Sequence, residues 1–191
     1  MGLRFTKTSR LLLIACSVLV LFMSCSRKPD PEPTWAFGAK GIRISYTAPK
    51  LLNVVKDKPH TLLLIVYQLD NVNVFNKFAG YKGGLERLLK AQSFDPSVMA
   101  VDKVFIEPAE STTMVLNRAE NAKWIGIVAG YYDLAPGKVS RSLEIPFKVK
   151  TKGVIRRKRI AEVDTLHVNL LLGPHSIQEI KQETKQEIKK K

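Results

Sequence analysis

The 191-residue sequence predicts a mainly β domain with one short helical insertion, carried behind an N-terminal export signal. Three observations support that expectation. Period-two alternation recurs along the chain, first where Ile42, Ile44 and Tyr46 alternate with Arg43, Ser45 and Thr47, so that one strand face meets a core and the other meets water. Two dense apolar runs, residues 61–69 (TLLLIVYQL) and 123–132 (KWIGIVAGYY), are rich in β-branched and aromatic residues, as expected of central strands. Apolar residues at helical spacing mark one segment, residues 71–90.

Taken in order, the chain begins with a cationic head (Arg4, Lys7, Arg10) and an apolar run, residues 11–23. At about 13 residues the run fits a signal-peptide core and falls short of the ~20 needed to span a bilayer as a helix. It ends at Cys25, on the border with the polar segment RKPDPEPT. A thiol at that border is where diacylglyceryl transfer and signal cleavage take place, so residues 1–24 read as a lipoprotein signal peptide with Cys25 the lipidated residue. Leu13-Ile14-Ala15-Cys16 matches the usual lipobox better than Phe22-Met23-Ser24-Cys25 does. Cleavage there would leave only about five apolar residues as signal core, below the expected minimum, which favours Cys25. Ser26 follows it, where lipoproteins kept in the inner membrane commonly carry Asp, so outer-membrane sorting is expected.

Residues 25–40 read as a lipidated N-terminus and tether, with Pro29, Pro31 and Pro33 favouring extended chain. Trp35 and Phe37 either begin packing on the domain or touch lipid headgroups. The domain proper is expected over residues 41–176. Its first strand stops at Pro49, and residues 50–60 (KLLNVVKDKPH) connect it to the central run 61–69. Leu51, Leu52, Val54 and Val55 are too apolar for a solvated turn, so this connection either tucks under the sheet or awaits a partner.

Asp70 or Asn71 can cap the helical segment, in which Val74, Phe75 and Phe78 share a face. Gly80, Gly83 and Gly84 punctuate it before Leu85, Leu88 and Leu89 open a second face. Strands follow at residues 101–108 and 112–117, joined by the acidic turn Glu107-Pro108-Ala109-Glu110. In the run 123–132, Gly126 and Gly130 imply close approach of a neighbour or a bulge. Residues 141–149 alternate, with Leu143, Ile145, Phe147 and Val149 expected inward and Pro146 marking an edge or bulge. Residues 165–172 give the last strand. Between these two lie seven cations (Lys148, Lys150, Lys152, Arg156, Arg157, Lys158, Arg159) with no interleaved aromatic, a solvated basic hairpin or a contact for an anionic surface. Residues 177–191 read as a basic disordered tail.

Composition narrows the function. Signal removal takes three positive residues and no acids, lowering the formal charge from +14 to +11. Export removes nucleic acid as a partner and leaves an anionic membrane surface, cell-wall polymer or acidic protein face. With Cys16 cleaved away and Cys25 lipidated, no cysteine remains for a disulfide or metal site. His60, His167 and His175 lack ligand spacing, and no Gly-x-Ser-x-Gly elbow is present, so neither metal binding nor catalysis is expected.

Several of these features occur together in one known family. Cys25, Leu52-Asn53 followed by a proline, the strand ending Val66-Tyr67-Gln68-Leu69, the insertion with Phe75 and Phe78, and residues 124–133 (WIGIVAGYYD) resemble the TssJ (SciN/VasD) family. These are outer-membrane lipoproteins of the type VI secretion system. The resemblance spans about residues 41–172 and implies a transthyretin-like two-sheet β-sandwich without enzymatic activity. It further implies an outer-membrane anchor on the periplasmic face, held by diacylglycerol and an acyl chain on Cys25. The expected partner is the periplasmic C-terminal region of TssM, within a TssJ–TssL–TssM complex. The contact maps to the first interstrand loop, centred here on Asn53, Val54, Val55, Lys56, Asp57 and Lys58. The second reading is a lipid-anchored periplasmic carrier that holds a small ligand in the sandwich.

Overall fold

A computed structural model describes residues 31–153 and 157–183. The expected signal segment 1–24, Cys25, Ser26 and residues 184–191 lie outside them. The first alternating stretch becomes β1 (Gly38–Thr47), which buries Ile42, Ile44 and Tyr46 and turns Arg43, Ser45 and Thr47 outward. It pairs antiparallel with β4 (Ser111–Arg118) and parallel with β9 (Leu166–Leu172). With β10 (Ile177–Glu183) these make a sheet ordered β10-β9-β1-β4. A second sheet, ordered β3-β2-β5-β6, contains β2 (Leu62–Leu69), β3 (Val98–Ile106), β5 (Trp124–Ala129) and β6 (Ser140–Glu144). Leu64, Val66, Ile125 and Ile127 of the second sheet share one buried cluster with Ile42, Ile44, Leu166 and Val168 of the first. The expected mainly β, two-sheet sandwich is therefore the fold of the chain.

Helices α1 (Asn73–Ala79) and α2 (Lys82–Leu88) form the helical insertion between β2 and β3. They cover the other face of the second sheet, which is why β2 and β5 are apolar on both sides. Phe75 of α1 lies directly on Gly126, where a Cβ would come within 2.5 Å of the ring. Tyr67 Oη donates a hydrogen bond to Leu88 O, fastening α2 to β2, and burial raises the phenol pKa to about 12. On the sandwich side, Gln68 Nε2 donates to Asn117 O at 2.9 Å and its Oε1 accepts from Ala119 N–H at 2.7 Å, which joins the two sheets.

The expected acidic turn at residues 107–110 carries the chain from β3 in one sheet to β4 in the other. Three sequence expectations need correction. Residues 141–149 are not one strand. Pro146 has no N–H to offer a ladder, and the chain leaves β6 there to start β7 (Phe147–Lys152), which pairs with β8 (Lys158–Val163) in a separate ribbon. Phe147, expected inward, is 38% exposed.

The tail is the second case, because residues 177–183 form β10 along the edge of β9. Its apolar residues, Ile177 and Ile180, are three apart. A register shift between Ile177 and Glu179 places them opposite Leu172 and Leu170, on the same face. Finally, the tether ends before Lys40. Pro33 is buried, Trp35 packs against the core, and Asn121 N–H donates to Trp35 O at 2.7 Å.

Register fixes what lies at each end of the sandwich. Gly38 pairs with Arg118 and Ile42 with Leu166, so the start of β1, the end of β4 and the start of β9 share one end. In the second sheet Trp124 pairs with both Leu69 and Glu144. The β7–β8 ribbon connects β6 to β9 and so hangs from this same end. Thr47 pairs with Ser111 and Leu171, and these mark the opposite end. Ten residues of β1 separate the two, about 30 Å at ~3.3 Å per residue.

Candidate functional site

The far end of β1 leads into the loop expected to bind a partner. Leu52 is fully buried and pins the loop to the core, while Leu51 beside it is 55% exposed. Leu52 thus tucks under the sheet, as one of the two expectations for this loop had it, while Leu51 stays at the surface. Asn53 adopts φ 46° and is buried. Its Nδ2 donates to Thr61 O at 3.1 Å and its Oδ1 accepts from Tyr132 N–H at 2.9 Å. Asn53 is therefore a positioning residue that ties the loop to the turn after β5. Asn tolerates the left-handed region better than other non-glycine residues, and its short amide reaches neighbouring backbone.

Beyond it the chain forms a miniature hairpin. Val55 and Lys58 exchange both backbone hydrogen bonds, at 2.9 and 3.0 Å. Lys56 and Asp57 between them have φ 48° and 61°, the φ signature of a type I′ turn. Such turns favour Asn-Gly, so a Lys-Asp tip is held by its surroundings. Val54 N–H donates to Pro174 O at 2.9 Å, and His60 N–H returns to Leu52 O at 3.0 Å. The loop thus projects Val54, Val55, Lys56, Asp57 and Lys58 at the surface with a fixed backbone.

Two further segments complete the site. The turn after β5 brings Tyr131, Tyr132 and Asp133, and the turn after β9 brings Pro174 and His175. Together with residues 53–56 they enclose a cleft of about 360 Å³. Tyr131 is buried, donates from Oη to Ser176 O at 2.8 Å and accepts from Gly173 N–H at 3.3 Å. Burial raises its pKa to about 12, so the phenol remains neutral. Tyr132, adjacent in sequence, is 78% exposed and forms an apolar wall of the cleft. Sequence reading did not assign Tyr132 and His175 to the site. The only available signal was a tyrosine that continues the apolar run of β5 past the end of its pairing.

Among the described residues no group of three or more His, Cys, Asp or Glu is arranged to hold a metal. The site offers an apolar floor (Val54, Val55, Tyr132, Pro174) with charges at the rim (Lys56, Asp57, Lys58, Asp133). Such a surface can bind a protein segment by apolar contact while its rim charges set orientation. The residues expected to meet a partner are therefore gathered at one end, apart from Asn53, which serves them from below. Cys25 and Ser26 lie outside the described residues.

The described residues form a two-sheet β-sandwich with an apolar cleft among the loops at one end, a fold class that the comparisons narrow to a family. A family model described as "Type VI secretion lipoprotein, VasD, EvfM, TssJ" matches residues 40–170, and the chain belongs to that family. The fold is similar to that of the type VI secretion lipoprotein TssJ1 from Pseudomonas aeruginosa, with a TM-score of 0.56 and 19% identity over 78% of this chain and 97% of that one. Serratia marcescens Lip, a membrane-bound component of the type VI secretion system, aligns with a TM-score of 0.53 and 16% identity over 75% and 97%. A chain from a structure described as the TssM C-terminal domain from EAEC gives 0.53 and 12% over 75% and 97%. No curated protein matches the sequence.

Proposed function

We propose that this chain anchors the type VI secretion membrane complex to the outer membrane by binding the periplasmic C-terminal region of TssM. Cys25 carries diacylglycerol and an acyl chain, Ser26 permits outer-membrane sorting, and the domain hangs on the periplasmic face. The assembly is a TssJ–TssL–TssM complex in which this chain is structural and not catalytic. Each buried CH₂ of an acyl chain contributes about 0.8 kcal/mol of membrane affinity, and stable anchoring takes at least two such signals.

The observation that supports this reading is the polarity of the sandwich. The chain enters at one end of β1, and the turn at residues 53–58 leaves at the other. A molecule that joins a membrane to a partner requires its two attachments apart, and β1 separates them by its own length. The carrier reading is less favoured, because side chains from both sheets fill the interior as one cluster and the 360 Å³ cleft lies among end loops.

A Val55→Asp/Tyr132→Ala double variant tests the site. It places a charge on the apolar floor and removes an exposed ring without touching Leu52 or Asn53. The expected result is at least about a tenfold loss of affinity for the TssM periplasmic region, with an unchanged thermal melt. Undiminished binding by the folded variant would overturn the site.

A further inference from the structure

The β7–β8 ribbon plays no part in the site described above. Its strands pair only with each other, and an isolated two-stranded ribbon is marginally stable in water. Among the described residues it carries six cations, Lys148, Lys150, Lys152, Arg157, Lys158 and Arg159. Three of them pair with acids near its base, Lys148 with Asp164, and Lys150 and Lys152 with Glu162. Positive charge remains in excess toward the tip, where Lys152 stands directly opposite Lys158. Like charges at opposed positions destabilise a ladder, a cost that the Lys152–Glu162 pair offsets in part and an anionic surface would offset further.

A second observation identifies where that surface lies. The chain reaches the domain beside the ribbon's base. Trp35 meets Phe147, the first residue of β7, edge to face at 6.3 Å, and the Arg118 guanidinium lies 5.7 Å from the Trp35 ring. Arg118 is 5% exposed and donates to Ala36 O, which fastens the segment in place. Two residues further on, Phe37 is 61% exposed. From Cys25 to the buried Pro33 there are eight residues, which span at most about 29 Å at ~3.6 Å per residue. The end of the molecule at which the chain enters thus presents two exposed phenylalanines, Phe37 and Phe147, and a cationic ribbon, apolar and basic side chains of the kind that meet a lipid interface.

We propose that the cationic β7–β8 ribbon binds anionic phospholipid headgroups of the membrane in which Cys25 is anchored. The ribbon is then a second, electrostatic attachment that orients the sandwich with the turn at residues 53–58 directed away from the lipid. The inference rests on the anchored reading above, since an untethered chain has no fixed membrane beside its ribbon.

The mature lipidated chain has no other cysteine once Cys25 is modified, so Thr151→Cys supplies a single thiol on β7 for a fluorophore. The labelled chain is reconstituted into vesicles of phosphatidylcholine, with or without about 30% phosphatidylglycerol, each containing a headgroup quencher. Quenching should be at least about twofold greater with phosphatidylglycerol and should fall in high salt, since screening shortens the reach of surface charge. It should also fall in the Lys152→Glu/Lys158→Glu variant, whose melt reports that the domain is folded. Equal quenching on the two vesicles, or quenching indifferent to charge reversal, would overturn the proposal. So would loss of TssM binding in the charge-reversed chain with its quenching unchanged, which would assign the ribbon to the protein partner. Mass spectrometry of the N-terminal peptide separates the two readings: an unmodified Cys25 overturns the anchor and the proposal together, whereas a lipidated chain with an indifferent label overturns the proposal alone.

Discussion

Three consecutive residues at the end of β2 show how closely this chain uses its side chains. Tyr67 points outward and fastens α2, Gln68 points inward and joins the sheets, and Lys123 N–H bonds Leu69 O where β2 meets the start of β5. Gly126 on the neighbouring strand is determined by the same packing. Gly126→Ala would drive a methyl into the Phe75 ring, and forced overpacking costs about 1–3 kcal/mol. Urea denaturation should show the midpoint falling with little change in slope, and Phe75→Leu in the same chain should recover part of the loss. Gly126 was legible as a point of close approach because nothing else explains a glycine inside an apolar strand. Its neighbour was not, since Phe75 lies 51 positions earlier in the sequence. Asn53 was named from the sequence as a contact residue, but its positioning role was not legible for a similar reason: it depends on Tyr132, which only the completed fold places beside it.

At the level of elements, strands with strict alternation were legible and those without it were not. β1 and β9 followed from their period of two. The helical insertion followed from its switch to helical spacing, although it forms two short helices split near Gly80. β10 was missed because its bulge turns a two-residue period into a three-residue one. β7 was merged with β6 because the hydrophobic alternation runs through Pro146 while the pairing does not. The miniature hairpin at residues 55–58 allows a direct test of element strain. Replacing Lys56-Asp57 with Asn-Gly supplies residues suited to φ above zero and should stabilise the turn by about 1 kcal/mol. Hydrogen exchange at the Val55 and Lys58 amides should slow about fivefold, the corresponding change in the opening equilibrium.

For the whole molecule, the class was readable from alternation and length, whereas the assignment of strands to sheets was not. No residue in the 107–110 turn states that the chain changes sheets there. Only the register shows that the segment leading into β1 and the turn at residues 53–58 occupy opposite ends, because it depends on pairings between β1, β4 and β9 that lie far apart in sequence. That placement has a mechanical consequence. If the two ends of β1 are pulled apart, tension runs along the backbone of β1 itself, which is already extended and has little length left to give. A hairpin pulled at its open end instead parts one bond at a time. Optical-tweezer extension from handles at Thr34 and Lys58 should therefore rupture at a higher force than extension from handles at Phe147 and Val163, the paired residues at the open end of the β7–β8 ribbon. A sandwich built this way resists extension most strongly along β1, the line that joins its two ends.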